Sequence, residues 1–163
     1  MITLRDFKEE DKTALLNILN EPQVIKYLSS KIPTPYTLED AHWWVFTGSK
    51  IGIVKAIEFK GELIGCIGAE KGLFEYQRSA ELGYWIAKDY WGQGFATRAI
   101  KQFIPFVFET TDIVRLFASV FSGNTASERV LSKCGFQLEV IQQKAIFKEG
   151  EFFNSHMFSL LKA

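Results

Sequence analysis

The sequence of 163 residues has little cysteine, few histidines and few prolines. Its two cysteines, Cys66 and Cys134, lie far apart in the chain. They therefore form neither the paired spacing of a zinc site nor the dense framework of a disulfide-stapled domain. We expect both to be buried thiols in a reduced, cytoplasmic protein, and we expect no metal site.

An excess of charge is also lacking, because 19 basic residues balance 19 acidic ones. A chain without net charge has no long-range field that would attract nucleic acid or an anionic membrane. No run approaches the roughly 18 consecutive apolar residues that suggest a membrane-spanning helix. The segment from Met1 to Asp6 contains an acid and no apolar signal core. We therefore expect neither nucleic acid nor a membrane among its partners.

The sequence does contain a large apolar fraction, with 47% hydrophobic residues and 15 phenylalanines. This composition and length predict a single folded domain over residues 1–163 with a substantial core. The apolar spacing predicts a strand, helices, three strands, a helix, a strand, a helix and a closing pair of strands, in that order. Residues 62–70 are apolar on both faces, which predicts a central strand. The order is typical of an α/β or α+β domain with a mixed sheet.

The stretch from Tyr84 to Thr97 joins the end of a predicted strand to the start of a predicted helix. Gly92 and Gly94, followed by the small Ala96, let the main chain approach a ligand closely. The following helix offers unpaired N–H groups and the positive end of its dipole, which together suit phosphate or pyrophosphate. A P-loop is excluded because no lysine follows the second glycine, and the dinucleotide fingerprint fails because Thr97 replaces its last glycine. A plain strand-to-helix turn is the alternative.

Three segments resemble the GNAT acetyltransferase superfamily. The segment from Trp91 to Ala96 resembles its coenzyme A pyrophosphate loop, Gln/Arg-x-x-Gly-x-Gly/Ala, with Trp91 in place of the usual Gln or Arg. Ser79–Ile86 and Asn124–Phe136 resemble the preceding strand and the next helix in the ribosomal-protein N-terminal acetyltransferase (RimJ/RimL-like) branch. The resemblance implies the GNAT acyl-CoA N-acyltransferase fold. In that fold, helices flank a mixed sheet whose two central parallel strands splay apart, and coenzyme A lies in the opening.

The same resemblance implies an N-acetyltransferase that moves acetyl from acetyl-CoA to a primary amine by direct attack in a ternary complex, without a metal. A main-chain N–H near the end of the strand, freed by a bulge, is the expected oxyanion donor. Asn124 is expected near the pantetheine arm, and capping a helix is its alternative role. The expected cofactor-binding residues lie at the strand end, in the loop and at this cap: Trp85, Ile86, Trp91, Gly92, Gln93, Gly94, Phe95, Ala96, Thr97 and Asn124.

Glu81 is the candidate general base, because desolvation in an apolar strand would increase the basicity of its carboxylate. It matches a common base position of the resembled family and would act through a water on the protonated amine. A solvent-facing glutamate paired with Arg78 or Lys88 is the alternative. Ser127 is the second candidate catalytic residue, as a hydrogen-bond donor to the departing sulfur, or else an ordinary first-turn serine. Leu131 stands where many GNAT enzymes carry a tyrosine acid.

The sequence leaves the acceptor and the protein class open. A protein N-terminus or a small primary amine fits the leading hypothesis, and an amino acid, a polyamine or an antibiotic is an alternative acceptor. A coenzyme A-binding sensor without transfer activity is a further alternative, supported by the missing tyrosine. Trp43 and Trp44 are expected in the core or on an acceptor pocket. Neither His42 nor His156 has a partner at a catalytic or metal-binding spacing in the sequence, so both are expected to be ordinary, partly buried histidines. The protein is expected to be a monomer or a homodimer.

Overall fold

The computed structural model describes residues 1–163 as a mixed sheet with flanking helices. The sheet has seven strands in the order β1-β2-β3-β4-β5-β7-β6, so the predicted central strand is the interior strand β3. No helix of the protein has both the length and the apolar character that crossing a membrane requires. The strands are β1 (Ile2–Arg5), β2 (Ile53–Phe59), β3 (Glu62–Lys71), β4 (Ser79–Ile86), β5 (Arg115–Phe121), β6 (Gln137–Lys148) and β7 (Glu151–Leu161). The α-helices are α1 (Lys12–Leu19), α2 (Pro22–Ile25), α3 (Leu38–Phe46), α4 (Phe95–Thr110) and α5 (Thr125–Lys133).

The chain divides into two compact units, each made of two segments. The first unit comprises Met1–Gly68 and Tyr84–Phe103, and the second comprises Ala69–Gly83 and Ile104–Ala163. Three elements, β3, β4 and α4, begin in one unit and end in the other. The single domain over residues 1–163 stays a prediction.

The first unit is built on the β2–β3 hairpin and on helices α1 and α3. Lys60 and Gly61 have φ of 50° and 81° and form the tight turn that joins the two strands. The Thr37 hydroxyl accepts from the Asp40 N–H at 3.2 Å, and the Asp40 carboxylate accepts from the Thr37 N–H at 2.8 Å, so the two residues cap the start of α3. Both helices bury their apolar faces in one core cluster with the hairpin: Leu15, Leu19, Ala41, Val45, Ala56, Leu63 and Cys66.

β1 ends at Arg5, and a buried carboxylate organises the turn that follows. Asp11 is 3% exposed and accepts two hydrogen bonds of 2.8 Å from the Arg5 guanidinium. It also accepts from the Lys8 N–H at 2.9 Å. A buried charge must be paired and hydrogen-bonded. The chain bends after Arg5, so that the Arg5 guanidinium and the Lys8 N–H both reach the Asp11 carboxylate.

The second unit is built on β5, β6, β7 and α5, together with the first part of β4. β4 and β5 are parallel but pair over three residues only, from Ser79 opposite Arg115 to Glu81 opposite Phe117. Because β4 has eight residues and β5 seven, the two strands part after Glu81, as predicted for splayed central strands. β6 and β7 form the predicted closing hairpin, and β6 is the edge strand of the sheet.

Candidate active site

The connection from β4 to α4 is a loop whose main-chain conformation favours glycine. Gly92 and Gly94 have φ of 73° and 80°, in the left-handed region where a Cβ atom is penalised. A Cβ atom on Gly92 would contact nothing within 4 Å, and one on Gly94 would meet only Arg98 Nη2 at 3.8 Å. The glycines are therefore required by the turn of the backbone, and the space beside them is open.

An aromatic cluster holds the first turn of α4 in place. Phe95, the first helical residue, is 4% exposed. The centroid of its ring lies 4.7 Å from that of Phe59 and 5.7 Å from that of Tyr90. The N–H groups at the start of a helix have no intrahelical acceptor and carry the positive end of the dipole. A buried anchor at the first position therefore fixes the direction of these N–H groups.

Trp91, which replaces the usual Gln or Arg of the resembled motif, joins the loop to the strand. Its indole Nε1 donates a hydrogen bond of 2.7 Å to the carbonyl oxygen of Ile86, the last residue of β4. Its side chain is 46% exposed, so part of the ring stays accessible. In the same loop, Gln93 Nε2 donates to the Asp89 carbonyl oxygen at 3.2 Å. Trp91 braces the loop, and its contact with a cofactor stays a prediction.

Arg98 is a residue of this region that the sequence analysis did not single out. Its Nη2 donates to the Gln93 carbonyl oxygen at 2.7 Å, and its Nε donates to the Gly94 carbonyl oxygen at 3.2 Å. Its guanidinium carbon lies 4.6 Å from the centroid of the Phe95 ring. Its position one helical turn after Gly94 could have indicated these contacts, because side chains of a helix lean back toward the N-terminus.

The end of β4 passes very close to β3 within the first unit. A Cβ atom on Gly65 would lie 2.5 Å from the Trp85 carbonyl oxygen and 2.9 Å from Ile86 Cδ1. The Ala87 N–H donates to the Ile64 carbonyl oxygen at 2.7 Å. These contacts fix the main chain of Trp85 and Ile86, where the oxyanion donor was expected. The donor itself stays a prediction.

Glu81 lies in the second unit, on the exposed face of β4. Ala80 and Leu82 are buried, whereas Glu81 between them is exposed. The expectation that apolar neighbours would desolvate it is wrong, because successive side chains of a strand point to opposite faces. Glu81 stands opposite Phe117 in the last residue pair before β4 and β5 part. Its role as general base stays a prediction.

Helix α5, also in the second unit, begins at the expected cap. Asn124 Oδ1 accepts a hydrogen bond of 3.3 Å from the Ser127 N–H, which confirms the capping role. Ser127 is partly buried in the first turn, and Leu131 is fully buried. The helix ends before Gly135, whose φ of 92° is in the left-handed region that commonly terminates helices. The contacts of Asn124 and Ser127 with a cofactor stay predictions.

His156 has a partner that its spacing did not reveal. Its Nδ1 lies 2.9 Å from Glu128 Oε1, which joins β7 to the first turn of α5. His156 is also partly buried, as expected. His42 is exposed, so the expectation of partial burial is wrong for this residue, and its ring lies 4.6 Å from that of Phe46 in the same helix, measured between centroids.

The two tryptophans of α3 differ in burial. Trp44 packs against the core cluster of the first unit, in edge-to-face contact with Phe7 at 5.7 Å between ring centroids. Trp43 is 54% exposed, so burial in the core is wrong for this residue. An exposed ring next to a partly buried one follows from helical spacing, because adjacent residues of a helix do not share a face.

The structure brings the candidate residues together in two groups. No group of three or more His, Cys, Asp and Glu side chains could hold a metal ion. Neither cysteine forms a disulfide, and complete burial raises the pKa of the Cys66 thiol to about 12. Cys66 is thus protonated at neutral pH and unsuited to act as a nucleophile. The first unit holds Trp85, Ile86, Trp91, Gly92, Gln93, Gly94, Phe95, Ala96 and Thr97, and the second unit holds Glu81, Asn124 and Ser127.

Comparisons with known proteins agree on the fold. Residues 1–137 match a family model described as acetyltransferase (GNAT) domain. The uncharacterized N-acetyltransferase YoaA of Bacillus subtilis (strain 168) is 30% identical over 168 residues, which cover 99% of this chain and 93% of that protein. Two solved structures share the fold, and the predicted mixed sheet with splayed central strands is confirmed.

The first of these structures is RimL, a ribosomal L7/L12 alpha-N-protein acetyltransferase in complex with coenzyme A. It has a TM-score of 0.85 and 20% identity, over 99% of this chain and 94% of that chain. The second is the ribosomal-protein-alanine N-acetyltransferase from Brucella melitensis. It has a TM-score of 0.82 and 23% identity, over 98% of this chain and 99% of that chain.

Substitution of Gly65 tests the close approach at the end of β4. Gly65→Ala should destabilise the protein by about 1–3 kcal/mol, because the new methyl group must displace the Trp85 main chain. Gly83→Ala is the matched control on β4, since a Cβ atom there would meet nothing within 4 Å. The free energy of unfolding, measured in urea, should change by no more than about 0.5 kcal/mol in the control. Equal stability of the two variants would contradict the close contact.

Proposed function

Because the chain belongs to the GNAT acetyltransferase family, we propose that it acetylates the N-terminal amine of a protein, as an enzyme of the RimJ/RimL-like branch. Acetyl-CoA-dependent N-acetyl transfer is the activity of the family, and the prediction of such an enzyme is confirmed. We therefore do not retain the hypothesis of a sensor without transfer activity. The observation that carries the use of acetyl-CoA is the loop before α4, with φ of 73° at Gly92 and 80° at Gly94.

In this proposal the loop binds the diphosphate of acetyl-CoA. The left-handed glycines turn the chain directly into α4, so the N–H groups of Phe95 and Ala96 begin the helix. Anions bind at such helix starts because the N–H groups and the dipole both favour negative charge. The open space beside Gly92 and Gly94 supports close approach of a phosphate to the main chain. Trp91 and Gln93 hold the loop in this shape.

Glu81 takes the proton of the acceptor amine in this proposal. A protonated amine is not nucleophilic, so a base must remove its proton before it attacks the thioester. The exposure of Glu81 supports transfer through a water molecule, because an exposed carboxylate is hydrated. Its position at the last paired residue of β4 and β5 supports access for an acceptor where the strands part.

The carbonyl oxygen and the departing sulfur need hydrogen-bond donors as charge develops on them. We propose a main-chain N–H at Trp85 or Ile86 for the oxygen, supported by the close packing of Gly65 that immobilises this segment. Ser127 is proposed to hydrogen-bond the sulfur, and Asn124 to contact the pantetheine arm near the cap of α5. Direct attack on the thioester is supported by the raised pKa of the Cys66 thiol, which argues against this cysteine as a covalent nucleophile.

A peptide N-terminus is favoured over a polyamine because an acidic side chain of α3 already has hydrogen-bond partners within the protein. A polyamine carries several positive charges and needs several free carboxylates. The carboxylate of Asp40 is already engaged by the Thr37 N–H and hydroxyl in the cap of α3. Two thiols without a disulfide support a cytoplasmic enzyme, and a monomer or a homodimer is compatible with the proposal.

The proposal is tested by release of free thiol from acetyl-CoA with a panel of acceptors and mass detection of products. The panel contains peptides with free N-termini, the same peptides with blocked N-termini, amino acids, polyamines and aminoglycosides. We expect acetylation of free N-terminal peptides alone. Acetylation of a polyamine or an aminoglycoside in preference to every peptide would contradict the proposed branch.

Substitution of Glu81 by Gln tests the proposed base. Glu81→Gln should lower kcat by about 100-fold or more, since a positioned base contributes roughly 10² to 10⁴ in rate. Its Kd for coenzyme A, measured by calorimetry, should stay unchanged. Glu75→Gln, which alters another exposed acid of the second unit, is the control and should keep full turnover. If Glu81→Gln kept wild-type turnover at neutral pH, Glu81 would have no place in the mechanism.

A further inference from the structure

We infer that Arg98 is a further cofactor-binding residue, whose guanidinium donates hydrogen bonds to the diphosphate of acetyl-CoA beside the loop that begins α4. The inference rests on the proposed role of that loop and adds a side-chain cation to the main-chain donors. It concerns a residue outside the glycine motif.

The side chain of Arg98 is folded back onto the loop. Nη2 lies 2.7 Å from the Gln93 carbonyl oxygen, and Nε lies 3.2 Å from the Gly94 carbonyl oxygen. The main-chain N–H of Arg98 donates to the same Gly94 oxygen at 3.1 Å. The Gln93 and Gly94 carbonyl oxygens carry partial negative charge. The guanidinium covers both of them with positive charge.

An aromatic ring holds the guanidinium from a second side. The guanidinium carbon lies 4.6 Å from the centroid of Phe95, whose ring is buried against Phe59. An arginine on a flexible surface loses much side-chain entropy when it binds a ligand, whereas one already held in place loses less. Phe95 and the two carbonyl groups therefore leave Arg98 preorganised.

Arg98 still has N–H donors that could bind a ligand, and its positive charge is not neutralised by a carboxylate. A guanidinium has five N–H donors, and the two side-chain hydrogen bonds of Arg98 to carbonyl oxygens use Nε and Nη2, which leaves Nη1 without an acceptor. Arg98 forms no ion pair, in contrast to Arg5 with Asp11 and Arg115 with Glu139. An exposed, oriented guanidinium with no carboxylate partner, held at the start of a helix, suits a phosphate oxygen.

The test compares coenzyme A binding by the wild-type protein, Arg98→Gln and Arg98→Lys in calorimetry. Glutamine keeps an N–H donor for the loop carbonyl groups but removes the charge. We expect Arg98→Gln to raise the Kd for coenzyme A by about 10- to 100-fold, the range of a charged hydrogen bond. Arg98→Lys, which keeps the charge without the planar fork, should fall between the two. Lys101→Ala, a change at an exposed cation three residues further along α4, is the matched control with unchanged Kd.

Salt dependence separates a phosphate contact from a mere brace of the loop. A direct charge contact predicts that the Kd of the wild type rises with salt more steeply than that of Arg98→Gln, because salt screens exposed charges. An unchanged Kd in Arg98→Gln, or a higher Kd with the salt dependence of the wild type, would overturn the inference. Absence of coenzyme A binding by the wild type would instead overturn the proposed function itself. Thermal melting of each variant verifies that it is folded.

Discussion

The conformation of Gly92 and Gly94 is the constraint on which the account of this protein depends. Their φ of 73° and 80° turn the chain from β4 into the first turn of α4 without a bulky residue at either corner. A residue with a Cβ atom would pay a conformational penalty at each position, and the loop would lose the shape that presents helix N–H groups. The chemistry proposed for the enzyme begins with that presentation, because it places the cofactor.

The rest of the first unit stabilises this turn from both ends. Upstream, the Trp91 indole is bonded to the Ile86 carbonyl oxygen, and Gly65 lets the end of β4 lie tightly against β3. Downstream, the Phe95 ring packs in an aromatic cluster, and the Arg98 side chain folds back to hydrogen-bond the loop carbonyl groups. Each contact removes freedom that the loop would otherwise lose on binding its ligand, so the site is largely formed in advance.

Local signals in the sequence predicted the parts of this structure that depend on near neighbours in the chain. The glycine loop before α4 and the Asn124 cap of α5 each follow from a few adjacent residues, and the structure contains both of them. The family resemblance then supplied the sheet with its splayed strands. The loop and the cap involve only residues that are close together in the chain, so a single sequence was enough to predict them.

Features that depend on which face of an element is covered could not be predicted in the same way. Glu81 has apolar neighbours in sequence but projects from the exposed face of β4, so its burial was misjudged. The pair of His156 with Glu128 joins residues that are distant in the chain, and no rule of sequence spacing predicts it. Arg98 owes its contacts to a bent side chain over Phe95, a geometry that helical periodicity does not specify.

Calorimetric titration of coenzyme A into the wild type and into Gly94→Glu tests the central role of the loop most directly. The account predicts saturable binding by the wild type. It also predicts loss of about 100-fold or more in the variant, because a side chain at a left-handed position and a negative charge beside the diphosphate both oppose binding. Thermal melting verifies that the variant is folded. Equal affinity of a folded Gly94→Glu protein for coenzyme A would contradict the placement of the cofactor at this loop.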